Sequence, residues 1–138
     1  MAKWTISPGD WCHIDIPTLD RDRARQFYGE VFGWRLDDYP GTGYTGVTTS
    51  EDGILSGLGS LAAETGQPSQ ATGPVPYIRP GDFDATLAAI ERAGGEVLIP
   101  RTDVKGYGWF AHFRDPEGNV IGLWQDAPGH SDEAAASS

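Results

Sequence analysis

At 138 residues the chain has the length of one ordinary domain and can bury a sizeable core unaided, and its single cysteine, Cys12, cannot form an internal disulfide. Ten basic against twenty acidic side chains leave a net charge of −10, which repels nucleic acid, suits solubility and leaves a cationic small molecule as the partner class that charge favours. No apolar run approaches the roughly 20 residues of a membrane span and the N-terminus carries no signal-like apolar run, so a cytoplasmic protein without a membrane partner is expected.

Residues 11–17, Trp-Cys-His-Ile-Asp-Ile-Pro, alternate in character and end at proline, which predicts a strand with Trp11, His13 and Asp15 on one face and Cys12, Ile14 and Ile16 on the other. Cys12 is thereby expected to face the following helix as a buried, inert thiol. That helix is predicted from Arg21 to Phe32, with Asp20 as its cap and Gly33 as its stop, and Ala24, Phe27, Tyr28 and Val31 recur at the intervals that would pack an aromatic stripe on the strand. Extended pieces follow at Trp34–Tyr39, Tyr44–Thr49 and Ile54–Ser60, divided by Pro40-Gly41 and Glu51-Asp52-Gly53 turns.

The polar, aperiodic stretch 62–73 reads as a connection. After it the order restarts: a strand at Val75–Arg79, a helix capped by Asp82 and stopped at Gly94-Gly95, and strands near Glu96–Ile99, Trp109–Arg114 and Asn119–Gln125. Asp52-Gly53 through Leu58 matches Glu117-Gly118 through Leu123 at an offset of 65 (117 minus 52), and the caps Asp20 and Asp82 are offset by 62 (82 minus 20). The chain therefore reads as one domain of two βαβββ modules, the first about 9–61 and the second about 74–125, with a polar tail at 126–138 that contains His130. A duplicated unit of this kind places a cleft between its copies. The segment 101–109, Arg-Thr-Asp-Val-Lys-Gly-Tyr-Gly-Trp, has the composition of a flap over such a cleft and equally of an ordinary connection.

The stretch His13-Ile-Asp-Ile-Pro-Thr-Leu-Asp20, followed by Phe27-Tyr-Gly-Glu-Val-Phe-Gly-Trp34, Ala93-Gly-Gly95, Gly108-Trp-Phe110 and Asp115-Pro-Glu-Gly-Asn119, resembles the vicinal oxygen chelate superfamily, which includes glyoxalase I, extradiol dioxygenases and fosfomycin- and bleomycin-resistance proteins. The resemblance spans nearly the whole chain outside the tail. It implies an α+β fold in which two βαβββ modules form a curved mixed sheet around a central cleft, and a dimer. It also implies that a metal, in the members that hold one, is bound by one side chain from the first and one from the last strand of each module. Those places fall here on His13, Gly57, Val75 and Gly122, of which only His13 can ligate, so no metal and no cofactor are expected. Asp15 and His112 are the residues from which an improvised site would have to draw.

Glycine in place of two bulky ligands is expected to open the cleft floor or, alternatively, to let strands pack closely. Alternation adds Trp11 and Asp15 beside His13, Tyr77 and Arg79 beside Val75, and Trp124 beside Gly122. The run 109–113 admits two registers, one of which turns Phe110 and His112 toward the cleft and Ala111 and Phe113 toward the core. The expected ligand-binding set is thus Trp11, Gly57, Val75, Tyr77, Phe110, His112, Gly122 and Trp124, with His13 and Asp15 as the candidates for proton transfer. Two functions remain open: a metal-independent protein that binds a small organic molecule, cationic or aromatic and antibiotic-like, or a lyase or isomerase that uses His13 as general acid or base. A metal-dependent glyoxalase or dioxygenase is the third and least supported reading.

Overall fold

The structure, a computed structural model, describes residues 6–41, 44–50, 56–59, 70, 72–104 and 106–128. These form strand β1 (Trp11–Ile16), helix α1 (Arg21–Phe32) and strands β2 (Arg35–Tyr39), β3 (Tyr44–Thr48) and β4 (Ser56–Gly59), then β5 (Val75–Ile78), α2 (Phe83–Arg92), β6 (Glu96–Val104), β7 (Gly108–Arg114) and β8 (Val120–Asp126). The order β-α-β-β-β occurs twice, as the two offsets require. All the strands join one mixed sheet in the order β2-β3-β4-β1-β5-β8-β7-β6.

At the centre β1 and β5 run antiparallel, with His13 opposite Tyr77 and Asp15 opposite Val75. On their outer sides β4 runs parallel to β1, placing Gly57 beside Asp15, and β8 runs parallel to β5, placing Gly122 beside Tyr77. Asp15 and Tyr77 are thus equivalent positions of the two modules, again 62 apart (77 minus 15).

Both helices are capped as their sequences predict. The Asp20 carboxylate accepts from the Arg23 N–H at 3.0 Å and that of Asp82 from the Ala85 N–H at 3.0 Å. Gly33 ends α1 at φ 69°, the left-handed conformation that glycine adopts without a Cβ clash. The helices differ in what they cover. Phe83 of α2 is buried with Ala111, Phe113 and Leu123, and Leu87, Ile90, Trp109 and Ile121 pack around them. Helix α1 contributes no buried residue; Phe27, Val31 and Phe32 are half exposed or more and Leu19 is fully so. The expected packing of an α1 aromatic stripe on β1 is therefore not what is found. Tyr28 instead stacks on Trp34, just past the end of the helix, with centroids 4.8 Å apart and planes at 4°.

Two boundaries move. The described part of 101–109 is an ordinary connection rather than a flap: β6 runs on to Val104, β7 begins at Gly108, and between them the Tyr107 N–H donates to the Val104 carbonyl at 2.8 Å. Ladder hydrogen bonds satisfy the backbone that a loop would have left to solvent. Residues 126 and 127, expected in the tail, belong to the fold: β8 includes Asp126, and the Ala127 N–H donates to the Tyr107 carbonyl at 2.9 Å. The remaining tail from 129, including His130, lies outside the described residues, as do Ile54, Leu55 and nearly all of the expected connection.

Candidate functional site

The centre of the site is set by an irregularity in β1. Trp11 pairs with Ile78 and His13 with Tyr77, so two steps along β1 answer one step along β5 and Cys12 is the extra residue of a bulge. Partners directly across a ladder share a face. Tyr77 and His13 therefore look the same way, whereas Trp11 goes with Ile78 to the helix side, where it is 51% exposed. Simple alternation placed Trp11 beside His13 and turned Cys12 to the helix; the bulge reverses both. Cys12 is buried beside Val75, Tyr77, Ile99, Val104 and Phe110, with its Sγ 3.9 Å from the Trp124 carbonyl oxygen.

Beyond the bulge, His13 and Asp15 meet. His13 Nε2 lies 2.6 Å from Asp15 Oδ1 and 2.5 Å from the Tyr44 hydroxyl. The other oxygen of Asp15 accepts from the Tyr77 hydroxyl at 2.6 Å, and that hydroxyl lies 2.8 Å from His112 Nε2. A carboxylate only accepts, and the Tyr77 proton is committed to it, so the His112 ring completes the set by donating its Nε2–H to the phenol oxygen. The same logic puts a proton on His13 Nε2, shared between Asp15 and Tyr44, and leaves Nδ1 as the basic nitrogen of the neutral ring. Asp15, Tyr77 and His112 are buried. Burial above all, then the charge of Asp15 and the hydrogen bond to it, hold the Tyr77 hydroxyl well above its ordinary value of 10.0. Burial pushes the His112 imidazole below 6.5, with the nearby Asp15 charge only partly opposing it.

The glycines explain how so many rings fit. A Cβ on Gly57 would stand 2.4 Å from the Tyr44 ring, and one on Gly122 would stand 2.3 Å from the Tyr77 ring. On Gly108 it would meet the Trp124 ring at 2.7 Å, and on Gly46 the Tyr39 hydroxyl at 2.9 Å. Four strand glycines thus each have an aromatic side chain close to the backbone, and at Gly108 the Gln125 carbonyl oxygen would stand nearer still, at 2.4 Å from the added carbon, so a side chain at any of these positions would be blocked. The expectation that Gly57 and Gly122 leave open volume is corrected: tyrosine fills both notches, and it arrives from β3 in one module and from β5 in the other.

The rings form a continuous series. Tyr107 stacks on Tyr39 (5.2 Å between centroids, planes at 15°), Tyr39 on Tyr44 (6.4 Å, 28°), Tyr44 on His13 (5.9 Å, 23°) and His13 on Trp124 (6.2 Å, 26°). Tyr39 ends β2 at one edge of the sheet and Tyr107 sits in the β6–β7 turn at the other, so their contact curls the sheet around the face that bears His13. At the far end of the series the Trp124 indole N–H donates to Asp126 at 2.7 Å.

A family model described as the glyoxalase/bleomycin resistance protein/dioxygenase superfamily matches residues 12–123. The chain belongs to this superfamily. It is 34% identical over 116 residues to CFP32 of Mycobacterium bovis, which carries a glyoxylase name, covering 81% of this chain and 44% of that protein. It is 30% identical over 135 residues to the anthracycline biosynthesis protein DnrV of Streptomyces peucetius, covering 87% and 48%. The chain spans about half the length of these curated relatives. Methylmalonyl-CoA epimerase of Mycobacterium tuberculosis shares the fold at a TM-score of 0.61 and 17% identity, over 93% of this chain and 94% of that one. The hypothetical protein BH1468 of Bacillus halodurans does so at 0.64 and 12%, over 91% and 99%.

Among the places from which the metal-holding members of the superfamily are expected to ligate, this chain offers an imidazole whose Nε2 faces Asp15 and Tyr44, a buried valine, and two glycines whose notches are closed by phenol rings. An improvised set of His13, Asp15 and His112 fits no better, because the Tyr77 hydroxyl stands between Asp15 and His112 and bonds to both. Among the described residues no group of three or more His, Cys, Asp or Glu is placed to hold an ion. The residues present do not fit a metal held in the superfamily's manner.

Of the residues expected at the site, His13, Asp15, Tyr77, His112 and Trp124 are brought together, and Phe110 packs edge-on against His112. Of the two registers, the one found places Phe110 and His112 on the side of Val75 and Tyr77, and Ala111 and Phe113 on the helix side with Phe83. Val75, Tyr77, Phe110 and His112 are buried and back the face rather than presenting surface. Solvent reaches His13, Trp124, Tyr39, Tyr107 and Asp126. Tyr44, Tyr39, Tyr107 and Asp126 were not singled out in the sequence; the available signal was Tyr39 and Tyr44 flanking a Pro40-Gly41 turn, which makes them cross-strand partners.

Proposed function

We propose that this chain is a metal-independent member of its superfamily that binds a small organic molecule on the aromatic face around His13 and Trp124. The observation that carries this reading is the closure of the Gly57 and Gly122 notches by Tyr44 and Tyr77, which turns positions suited to ligating side chains into flat aromatic surface. Stacked rings offer a planar or apolar ligand large contact area at little conformational cost. The name of the Streptomyces relative directs the first ligands tried to anthracyclines and their precursors. The test is a calorimetric titration of purified protein with and without EDTA, alongside elemental analysis. The expected result is the same affinity in both and no stoichiometric metal; a ligand that binds only after Zn²⁺, Mn²⁺ or Fe²⁺ is added would overturn it.

A second reading is favoured by one feature, the His13–Asp15 pair. Asp15 is buried and held by Tyr77 from behind, so it orients the imidazole, as a general base requires. In that case the protein is a lyase or isomerase in which His13 Nδ1 moves the proton. His13→Ala separates the two: a binding protein keeps most of its affinity, whereas an enzyme loses turnover of any substrate found.

The partner completing the particle is a second copy of the chain. Its support is the apolar surface of Leu19, Phe27, Val31 and Phe32, which the described residues leave exposed on α1 and just before it. Among those residues no helix is long and apolar enough to cross a membrane.

A further inference from the structure

The hydrogen bonds around His13 leave one proton uncommitted. Asp15 Oδ1 lies 2.6 Å from His13 Nε2, and the Tyr44 hydroxyl lies 2.5 Å from the same nitrogen. A carboxylate has nothing to donate, so the Nε2–H is the donor in both contacts and the Tyr44 oxygen accepts. A phenol that accepts still carries its own O–H. Among the described residues no further hydrogen bond of Tyr44 is found, although the residue is only 7% exposed. Gly57 is what admits the hydroxyl to this position, since a Cβ there would stand 2.6 Å from its oxygen. His13, which solvent reaches, lies alongside, with Trp124 stacked on it at 6.2 Å.

We infer that the Tyr44 O–H is kept for an acceptor oxygen of the ligand, which makes the ligand a planar aromatic carbonyl compound, its ring on the His13–Trp124 face and its carbonyl oxygen against Tyr44. This deepens the small-molecule reading above and rests on it. Buried donors in folded proteins are nearly always paired, so a donor left uncommitted beside a binding face is paired by what binds there. The aromatic face supplies contact area but does not distinguish one flat molecule from another. The phenol does: an oxygen answers it, whereas a methylene of the same shape leaves it buried and unpaired. Asp15 has a part in this, because by accepting the Nε2–H it fixes the tautomer of His13 and keeps that ring from taking the Tyr44 proton. Asp15 is in turn held by the Tyr77 hydroxyl at 2.6 Å. Tyr44 is thus the donor that sets specificity, and Asp15 and Tyr77 are positioning residues that act on it through His13.

Two probes of one shape isolate the oxygen: 2-acetylnaphthalene, and 2-isopropenylnaphthalene, in which a methylene replaces the carbonyl oxygen. Each is titrated into ¹⁵N-labelled protein while the Trp124 indole N–H resonance, identified by its loss in Trp124→Phe, is followed. The ketone should bind roughly tenfold more tightly than the alkene, and the stretching frequency of its ¹³C-labelled carbonyl should fall on binding, as a hydrogen bond to the oxygen requires. Tyr44→Phe, which keeps the ring beside Gly57, should erase both the preference and the fall while the two probes still bind. Thermal unfolding confirms that the variant is folded. The ring ¹⁵N shifts of His13, identified by their loss in His13→Ala, should show a proton on Nε2 in the free protein. An Nε2 without a proton would mean that Tyr44 gives its own to the imidazole, and would overturn the inference. Equal binding of the two probes, or an unchanged carbonyl stretch, would overturn it too and leave the aromatic-face reading standing, because the Trp124 resonance still moves. Failure of the ketone to bind the wild-type protein would overturn it as well. The broader reading falls only if anthracyclines and the other ligands tried also leave the resonance unmoved.

Discussion

Both oxygens of the buried Asp15 carboxylate accept, one from the His13 ring two residues back on the same strand and the other from the Tyr77 hydroxyl on β5. Tyr77 is the hinge of this arrangement, since it donates to Asp15 and accepts from His112. Tyr77→Phe leaves one oxygen of Asp15 and the His112 N–H without their partner in a buried place, and should cost about 1–3 kcal/mol in urea unfolding. The neutral state of His112 sets a pH dependence. Its folded pKa lies below 6.5, so from 6.5 downward the unfolded chain binds a proton that the folded chain refuses, and stability falls as pH falls through that window. Thermal midpoints measured from pH 8 to 5 should show this decline, and His112→Gln, which keeps a side-chain N–H but does not titrate, should flatten it relative to the wild type.

At the scale of the element, glycine acts by close approach rather than by special backbone conformation. Gly46, Gly57, Gly108 and Gly122 are in strands, and none has positive φ; the positive-φ glycines, Gly33 at 69° and Gly118 at 90° among them, lie outside the strands and turn the chain. Gly122→Ala places a methyl group into the wholly buried ring of Tyr77. The ring has no free direction in which to move, and overpacking of this kind should cost about 1–3 kcal/mol. Gly73→Ala, with nothing within 4 Å of the added carbon, is the control and should change stability little. Urea midpoints of the two variants make the comparison.

At the scale of the whole molecule the two modules are alike in connectivity and unlike in burial. Helix α2 covers its side of the sheet with Phe83, Leu87 and Ile90, while α1 leaves Phe27, Val31 and Phe32 to solvent among the described residues. If a second copy covers α1, sedimentation velocity should show a dimer, and Phe27→Asp with Val31→Asp should shift it to monomer without lowering α2 stability. A wild-type protein that stays monomeric at high micromolar concentration would refute the pairing.

Helix caps, helix stops, the order of elements and the duplication were legible because each rests on local chemistry: Asp20 and Asp82 cap within three residues, and the hydrophobic period changes where strand gives way to helix. The sequence alone also determined that the superfamily's ligand places hold glycine, glycine and valine beside one histidine. What it could not determine was what fills the space those residues leave, since Tyr44 reaches Gly57 from a neighbouring strand and Tyr77 reaches Gly122 across a parallel ladder. Nor could alternation foresee the extra residue at Cys12, because a bulge is a property of two paired strands and not of one. The contact of Tyr39 with Tyr107 joins residues 68 apart (107 minus 39) at opposite edges of the sheet. Only the curl of the assembled sheet brings them together, and no local rule encodes that.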